Sequence, residues 1–105
     1  MIVKQEKVPA VYIVASQRNG TIYIGVTSDL CSRINAHKEG RFEGFTKDYT
    51  VKNLVWFEYF GTMADAIKRE KQMKEWKRNW KLELIEKTNP QWRDLFEENC
   101  GRFIP

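Results

Sequence analysis

Residues 8–16 and 21–27 are rich in β-branched and aromatic side chains, and Asn19-Gly20 between them is a strong turn signal. The two runs are predicted to pair as an antiparallel hairpin. A two-residue turn at Asn19-Gly20 and a four-residue loop over 17–20 leave the same side chains on the same faces. The four-residue loop sets Tyr12 opposite Gly25. One face then carries Val11, Ile13, Ala15, Ile22, Ile24 and Val26, all apolar, and reads as core. The other carries Tyr12, Val14, Tyr23 and Gly25. A glycine inside a strand marks a point where something approaches the backbone closely, and Gly25 is a candidate for such an approach.

Helical spacing begins after Thr27. Ser28 or Asp29 suits the cap of a helix that stops at Gly40. Residues 41–50 read as a loop. Residues 54–60 form a third strand, ended by Gly61. Thr62 caps the next helix, with Asp65 as a box-like partner, and that helix is expected to reach about Trp76. A further helix is expected over 78–87. Asn89-Pro90 interrupts it, and Pro90 suits the first turn of a short last helix through Leu95. The order is β-β-α-β-α-α, an α+β fold with a small antiparallel sheet and helices packed on it. No linker or repeat divides the 105 residues, so 1–105 is read as one domain.

Composition narrows the class. A chain 42% hydrophobic and 30% charged is not disordered, and no run approaches the roughly 18 apolar residues of a membrane span. No membrane partner is expected. Residues 1–7 lack the apolar stretch of an export signal, so the expected location is the cytoplasm, with Cys31 and Cys100 as reduced thiols. One histidine and two distant cysteines exclude a zinc site of the usual kind.

The net charge of +4 is unevenly spread. Residues 68–81 hold seven cations against Glu70 and Glu75, whereas residues 82–105 are net acidic. Lys74, Lys77, Arg78 and Lys81 are therefore candidate contacts to a polyanion, with a solvated helix face as the plain alternative. In the 41–50 loop, Arg41, Lys47 and Tyr49 mix cations with a stacking surface.

Four positions sit oddly in their patterns. Leu30, Arg33, Ile34 and His37 share one helical face, which places a guanidinium and an imidazole on a stripe turned toward the sheet. An unpaired charge there is costly, so Arg33 needs an anionic partner or an open cleft. Met63, Ala66, Ile67, Glu70, Met73 and Lys77 repeat the spacing, with Glu70 as the lone acid among apolar neighbours. Such a carboxylate forms a salt bridge, for which Arg33 is available, or binds Mg²⁺ or Mn²⁺. Two phenols, a guanidinium, an imidazole and a carboxylate beside a basic segment suit phosphodiester hydrolysis. The cation polarises the phosphoryl group, the Arg offsets its charge, and a phenol of lowered pKa or the His takes the proton of the attacking water.

Ala10-Val11-Tyr12 followed by Tyr23-Ile24-Gly25, then Arg33, His37 and a later helical Glu70, resembles the signature of the GIY-YIG nucleases, in particular their small stand-alone members. Ala10-Val11 departs from the Gly-Ile of that signature at positions whose side chains do no chemistry. The resemblance implies a three-stranded antiparallel sheet flanked by helices and metal-dependent cleavage of DNA. It implies that Tyr12 and Tyr23 are the motif phenols, with Tyr12 favoured as base. Arg33 would hold the scissile phosphate, His37 would assist, and Glu70 would bind the single divalent ion. A later Asn often joins the site, and Asn89 is chosen over Asn79. The implied partner is DNA, with RNA as the alternative polymer and a protein partner supplying specificity. The rival function is a non-catalytic nucleic-acid-binding module on the same scaffold.

Overall fold

The structure is a computed structural model and describes residues 7–40 and 51–101. Strands β1 (Ala10–Ala15), β2 (Ile22–Thr27) and β3 (Asn53–Tyr59) form one antiparallel sheet in the order β2-β1-β3. Helix α1 (Leu30–Lys38) lies between β2 and β3 in the chain. Helices α2 (Met63–Lys74), α3 (Arg78–Thr88) and α4 (Phe96–Cys100) follow β3. The expected order β-β-α-β-α-α and the α+β class are what the chain adopts, with the short α4 following. The 41–50 segment, with Arg41, Lys47 and Tyr49, lies outside the described residues.

β1 is the centre of the sheet, and each of its six residues is buried. Its two faces feed two cores. Val11, Ile13 and Ala15 pack with Val55 and Trp56 of β3, Ala66 and Met73 of α2 and Ile85 of α3. Ala10, Tyr12 and Val14 pack with Leu54 of β3 and with Leu30 and Ile34 of α1. So α1 covers one face and α2 and α3 the other. A bulge at Val55, between the pairs Ile13–Trp56 and Val14–Leu54, puts the consecutive Val55 and Trp56 in the same core and leaves Leu54 to the other.

The hairpin uses the four-residue loop. Ser16 N donates to Thr21 O (2.9 Å), Gly20 N donates to Gln17 O (2.9 Å), and Tyr12 pairs with Gly25. Asn19 adopts φ 59°, the left-handed region that asparagine tolerates. Arg78 donates to the carbonyls of Asn19 (3.1 Å) and Gly20 (2.6 Å), fastening the start of α3 to this loop. The caps fall where the sequence puts them: Asp29 accepts from Ser32 N, and Thr62 accepts from Asp65 N.

The carboxyl-terminal part departs from expectation in two ways. No helix starts at Pro90. Asn89 is buried, and its amide donates to the carbonyls of Val55 (3.1 Å) and Arg93 (2.9 Å) while its Oδ1 accepts from Arg93 N (3.0 Å). These bonds fold residues 89–93 into a turn in which Trp92 takes φ 58°. A non-glycine residue there costs about 1–3 kcal/mol, which burial of the indole offsets. Leu95 N then donates to Leu54 O (2.8 Å), and the last helix starts at Phe96.

The second departure is Cys31–Cys100, a disulfide with Cα atoms 5.6 Å apart, not two thiols. The turn at Asn89 and the tether at Leu95 swing α4 onto α1, so cysteines 69 positions apart in sequence become neighbours. Asp94 closes the same corner: it pairs with Lys38 and accepts from Leu54 N and Phe96 N.

Asn89→Ala leaves one buried donor and two carbonyls short of a partner. It is expected to lower the unfolding free energy by about 3 kcal/mol, since each stranded group costs about 1–3 kcal/mol. Urea unfolding of the variant checks this, and a loss within error of zero would show that the turn does not rest on Asn89.

Candidate active site

The centre of the site is a buried ring. Tyr12 starts from the central strand and is 1% exposed. Its ring lies across β2 at Gly25, where a Cβ would collide with Cζ and Oη of the phenol. What approaches the Gly25 backbone is therefore Tyr12 itself. The missing side chain lets a residue of the middle strand deliver its hydroxyl over the outer strand of the sheet.

There the hydroxyl meets α1. Tyr12 Oη and His37 Nε2 are 2.9 Å apart in a buried hydrogen bond. Tyr23, on the same face of β2, completes a triangle of rings. Its centroid is 6.5 Å from that of Tyr12 and 5.7 Å from that of His37. His37 is 3% exposed, and burial together with the Arg33 charge lowers its pKa to about 4. The imidazole is neutral at pH 7.

The phenol of Tyr12 is pushed up from its ordinary value. Burial is the main cause, and Tyr23 adds to it. The charge and hydrogen bond of Arg33 pull the other way without prevailing, and Glu70 opposes them. The expectation of a phenol with lowered pKa is corrected: loss of water outweighs the guanidinium. At neutral pH the centre is a hydrogen-bonded pair of uncharged groups under a cation.

Glu70 reaches the site from the other side of the sheet. Ala66 and Met73 are the buried residues of α2, whereas Met63 and Ile67 are more than a third exposed. Glu70 thus sits at the edge of the apolar stripe. Its side chain is 13% exposed, and its carboxylate is 3.4 Å from Lys74 Nζ. Lys74 also lies over the Tyr23 ring, 5.8 Å from its centroid. With Lys81, Ile22, Tyr23 and Ile24 it lines a cleft of about 280 Å³ along β2. The site wraps the outer edge of the sheet: Arg33 and His37 come from α1 on one face, Glu70 and Lys74 from α2 on the other.

The remaining candidates separate. Lys81 is at the cleft, with Nζ directed to Lys74 O (3.4 Å). Lys77 is exposed at the start of α3. Arg78 is committed to the hairpin loop, and Asn89 spends its amide on Val55 and Arg93. The Glu70–Lys74 pair is four residues apart on one helix, a spacing visible in the sequence, and it supplies the cation for which Arg33 was the expected source.

Among the described residues, no group of three or more His, Cys, Asp or Glu side chains is placed to hold a metal. One largely buried carboxylate beside an open, lysine-lined cleft suits an ion that keeps most of its ligands as water and phosphate oxygens. That is the habit of Mg²⁺ and, with similar oxygen ligands, of Mn²⁺. No helix among the described residues is long and apolar enough to cross a membrane.

A family model described as the GIY-YIG catalytic domain matches residues 8–83, a span that holds Tyr12, Tyr23, Arg33, His37 and Glu70 and ends before Asn89. The UPF0213 protein SSP2268 of Staphylococcus saprophyticus is 37% identical over 75 residues, which are 71% of this chain and 90% of that protein. A UPF0213 protein of Staphylococcus aureus is 36% identical over the same shares. The solution NMR structure of the UPF0213 protein BH0048 from Bacillus halodurans has the same fold, with a TM-score of 0.52 at 24% identity, covering 87% of this chain and 96% of that one.

His37 is the chain's one histidine, so its titration is read directly by NMR. Its folded value, about 4, lies below the 6.5 of an exposed imidazole, so the unfolded chain binds more protons between these values. Its contribution is therefore whole above pH 6.5 and is lost as pH falls toward 4. We expect a midpoint near 4 and a loss of about 2 kcal/mol of stability from this group between pH 7 and 5. In His37→Gln that part of the pH dependence should vanish. A midpoint near 6.5 would contradict the buried pair.

Proposed function

The chain belongs to the GIY-YIG family, and from that premise we propose that it is a divalent-metal-dependent endonuclease hydrolysing phosphodiester bonds in DNA. The observation that carries the reading is the Tyr12–His37 hydrogen bond, held at the sheet edge between Arg33 and Glu70.

The cleft along β2 admits the backbone of a strand, and Lys74 and Lys81 supply counter-charge. Arg33 binds a non-bridging oxygen of the scissile phosphate. A water beside Tyr12 attacks phosphorus. Its proton passes to Tyr12 Oη while the phenolic proton passes to His37 Nε2, so neither residue carries a full anion at any stage. The bond from phosphorus to the departing oxygen breaks, and that oxygen takes a proton from solvent. Burial is the larger cause of the low imidazole basicity and the Arg33 charge the smaller; phosphate at Arg33 offsets the second, which helps His37 accept the proton. Glu70 would hold a single Mg²⁺ or Mn²⁺, which would supply Lewis-acid stabilisation of the charge that develops in the reaction. Tyr23 orients the water or phosphate. A setting in DNA repair or recombination, in the cytoplasm and with a protein partner choosing the substrate, accords with a catalytic domain this small.

Plasmid nicking with Mg²⁺, Mn²⁺ or chelator tests the reading. Cleavage should require the cation. Glu70→Gln should reduce it by orders of magnitude, with the fold retained. Tyr12→Phe should lower single-turnover cleavage by about 10²-fold or more with little change in DNA affinity, the usual scale for a general base. Tyr23→Phe should cost less. Binding without nicking at any metal concentration would assign the chain to the non-catalytic module instead.

A further inference from the structure

The start of α3 carries an aromatic surface that the catalytic cleft does not use. Trp76, just before the helix, and Trp80, in its first turn, stand edge to face with ring centroids 6.4 Å apart. Trp80 is 55% exposed, the largest exposure among the described large hydrophobic residues. Burying an indole is among the most favourable things a fold does with one side chain, and here the fold leaves it undone. Trp76 is braced from behind: the Arg69 guanidinium lies 5.0 Å from its ring centroid, and Arg69 in turn pairs with Glu58. With Glu83, Leu84 and Lys87, the two indoles line an open groove of about 310 Å³.

The surroundings say what would lie there. Lys77 is exposed between the two indoles in sequence, and Lys87 lines the far end. Trp80 and Lys81 are consecutive, so their side chains leave the helix about 100° apart and each lines one of the two grooves. A strand crossing Lys74 and Lys81 beside Tyr23 passes Lys77 and comes to Trp80. A protein partner would find the same rings but would have to neutralise this run of cations, whereas a polynucleotide brings a phosphate for each base.

We propose that the Trp76–Trp80 groove is a stacking site for an unpaired base of single-stranded nucleic acid leading away from the catalytic cleft. The base lies on the open face of Trp80, and its flanking phosphates follow Lys77, Lys81 and Lys87. A duplex offers no free base face, so the site favours substrates with a single-stranded arm. The inference rests on the reading of this chain as one that handles nucleic acid, and not on its ability to cut it.

Binding in chelator separates the two. Fluorescence anisotropy with a single-stranded oligothymidylate and with a duplex of equal length is measured for the full chain, Trp80→Ala and Trp80→Phe. Trp80→Ala should weaken single-strand binding about thirtyfold, the middle of the range for one stacked base, and Trp80→Phe should restore most of it. Duplex affinity should change less than twofold, and oligothymidylate should quench the tryptophan emission of the parent chain. Because Trp80 is exposed, thermal midpoints should be unaltered. An unchanged single-strand affinity, or an equal loss on both polymers, overturns the proposal. Self-association of the parent chain that Trp80→Ala abolishes overturns it in favour of a contact between copies. A chain that binds single strands through Trp80 but never nicks DNA sinks the endonuclease reading alone, and one that nicks yet ignores Trp80 sinks only this one.

Discussion

The site depends on one empty position. Gly25 lacks the side chain that would otherwise block the Tyr12 ring, and the hairpin register puts it opposite Tyr12. A two-residue turn would have kept every side chain on its face and paired Tyr12 with Thr27 instead. Loop length therefore selects which residue Tyr12 crosses, and Arg78 secures the loop by binding its carbonyls. The constraint is steric before it is chemical: a reactive hydroxyl needs water and substrate, yet β1 is the most enclosed element of the molecule. Passing the ring over a bare strand reconciles a rigid origin with an accessible end.

Rigidity has an electrostatic consequence. Holding Tyr12 and His37 out of water disfavours both of their charged forms, so the pair rests neutral although Arg33 lies beside it. A neutral pair can shift a proton inward and outward without creating a buried phenolate. The cost is that neither group is reactive alone, and the arrangement relies on what enters the cleft. The opposed placement of Arg33 and Glu70, reached from helices on different faces of the sheet, puts the charges at the rim. There a phosphate and a hydrated cation can be received without crossing the core.

Much of this was legible in the sequence because it is local. Strand alternation placed Tyr12 and Tyr23 together, and helical spacing placed Arg33 with His37. Asp29 and Thr62 announced their helices. In α2, Met63 and Ile67 fall at core spacing but lie toward solvent, so Glu70 is a margin residue. What could not be read depends on tertiary approach. Asn89 is a polar residue before a proline, and nothing local says that its amide will pin three backbone groups. The sense of the Tyr12 shift depends on burial outweighing one guanidinium, a balance that spacing does not contain. Cys31 and Cys100 meet because a turn far from both redirects α4.

That meeting makes part of the chain a closed covalent ring running from Cys31 through β3, α2 and α3 to Cys100. The hairpin with Tyr12, Tyr23 and Gly25 stands outside the ring, whereas Arg33, His37 and Glu70 are members of it. While the bond is intact, a single backbone cut between His37 and Glu70 opens the ring without freeing a fragment. The half that carries Glu70 then remains leashed to the half that carries the phenols. Once the bond is reduced, the same cut yields two separable pieces, each with part of the site. The oxidation state of one sulfur pair thus decides whether the integrity of the site depends on an unbroken backbone.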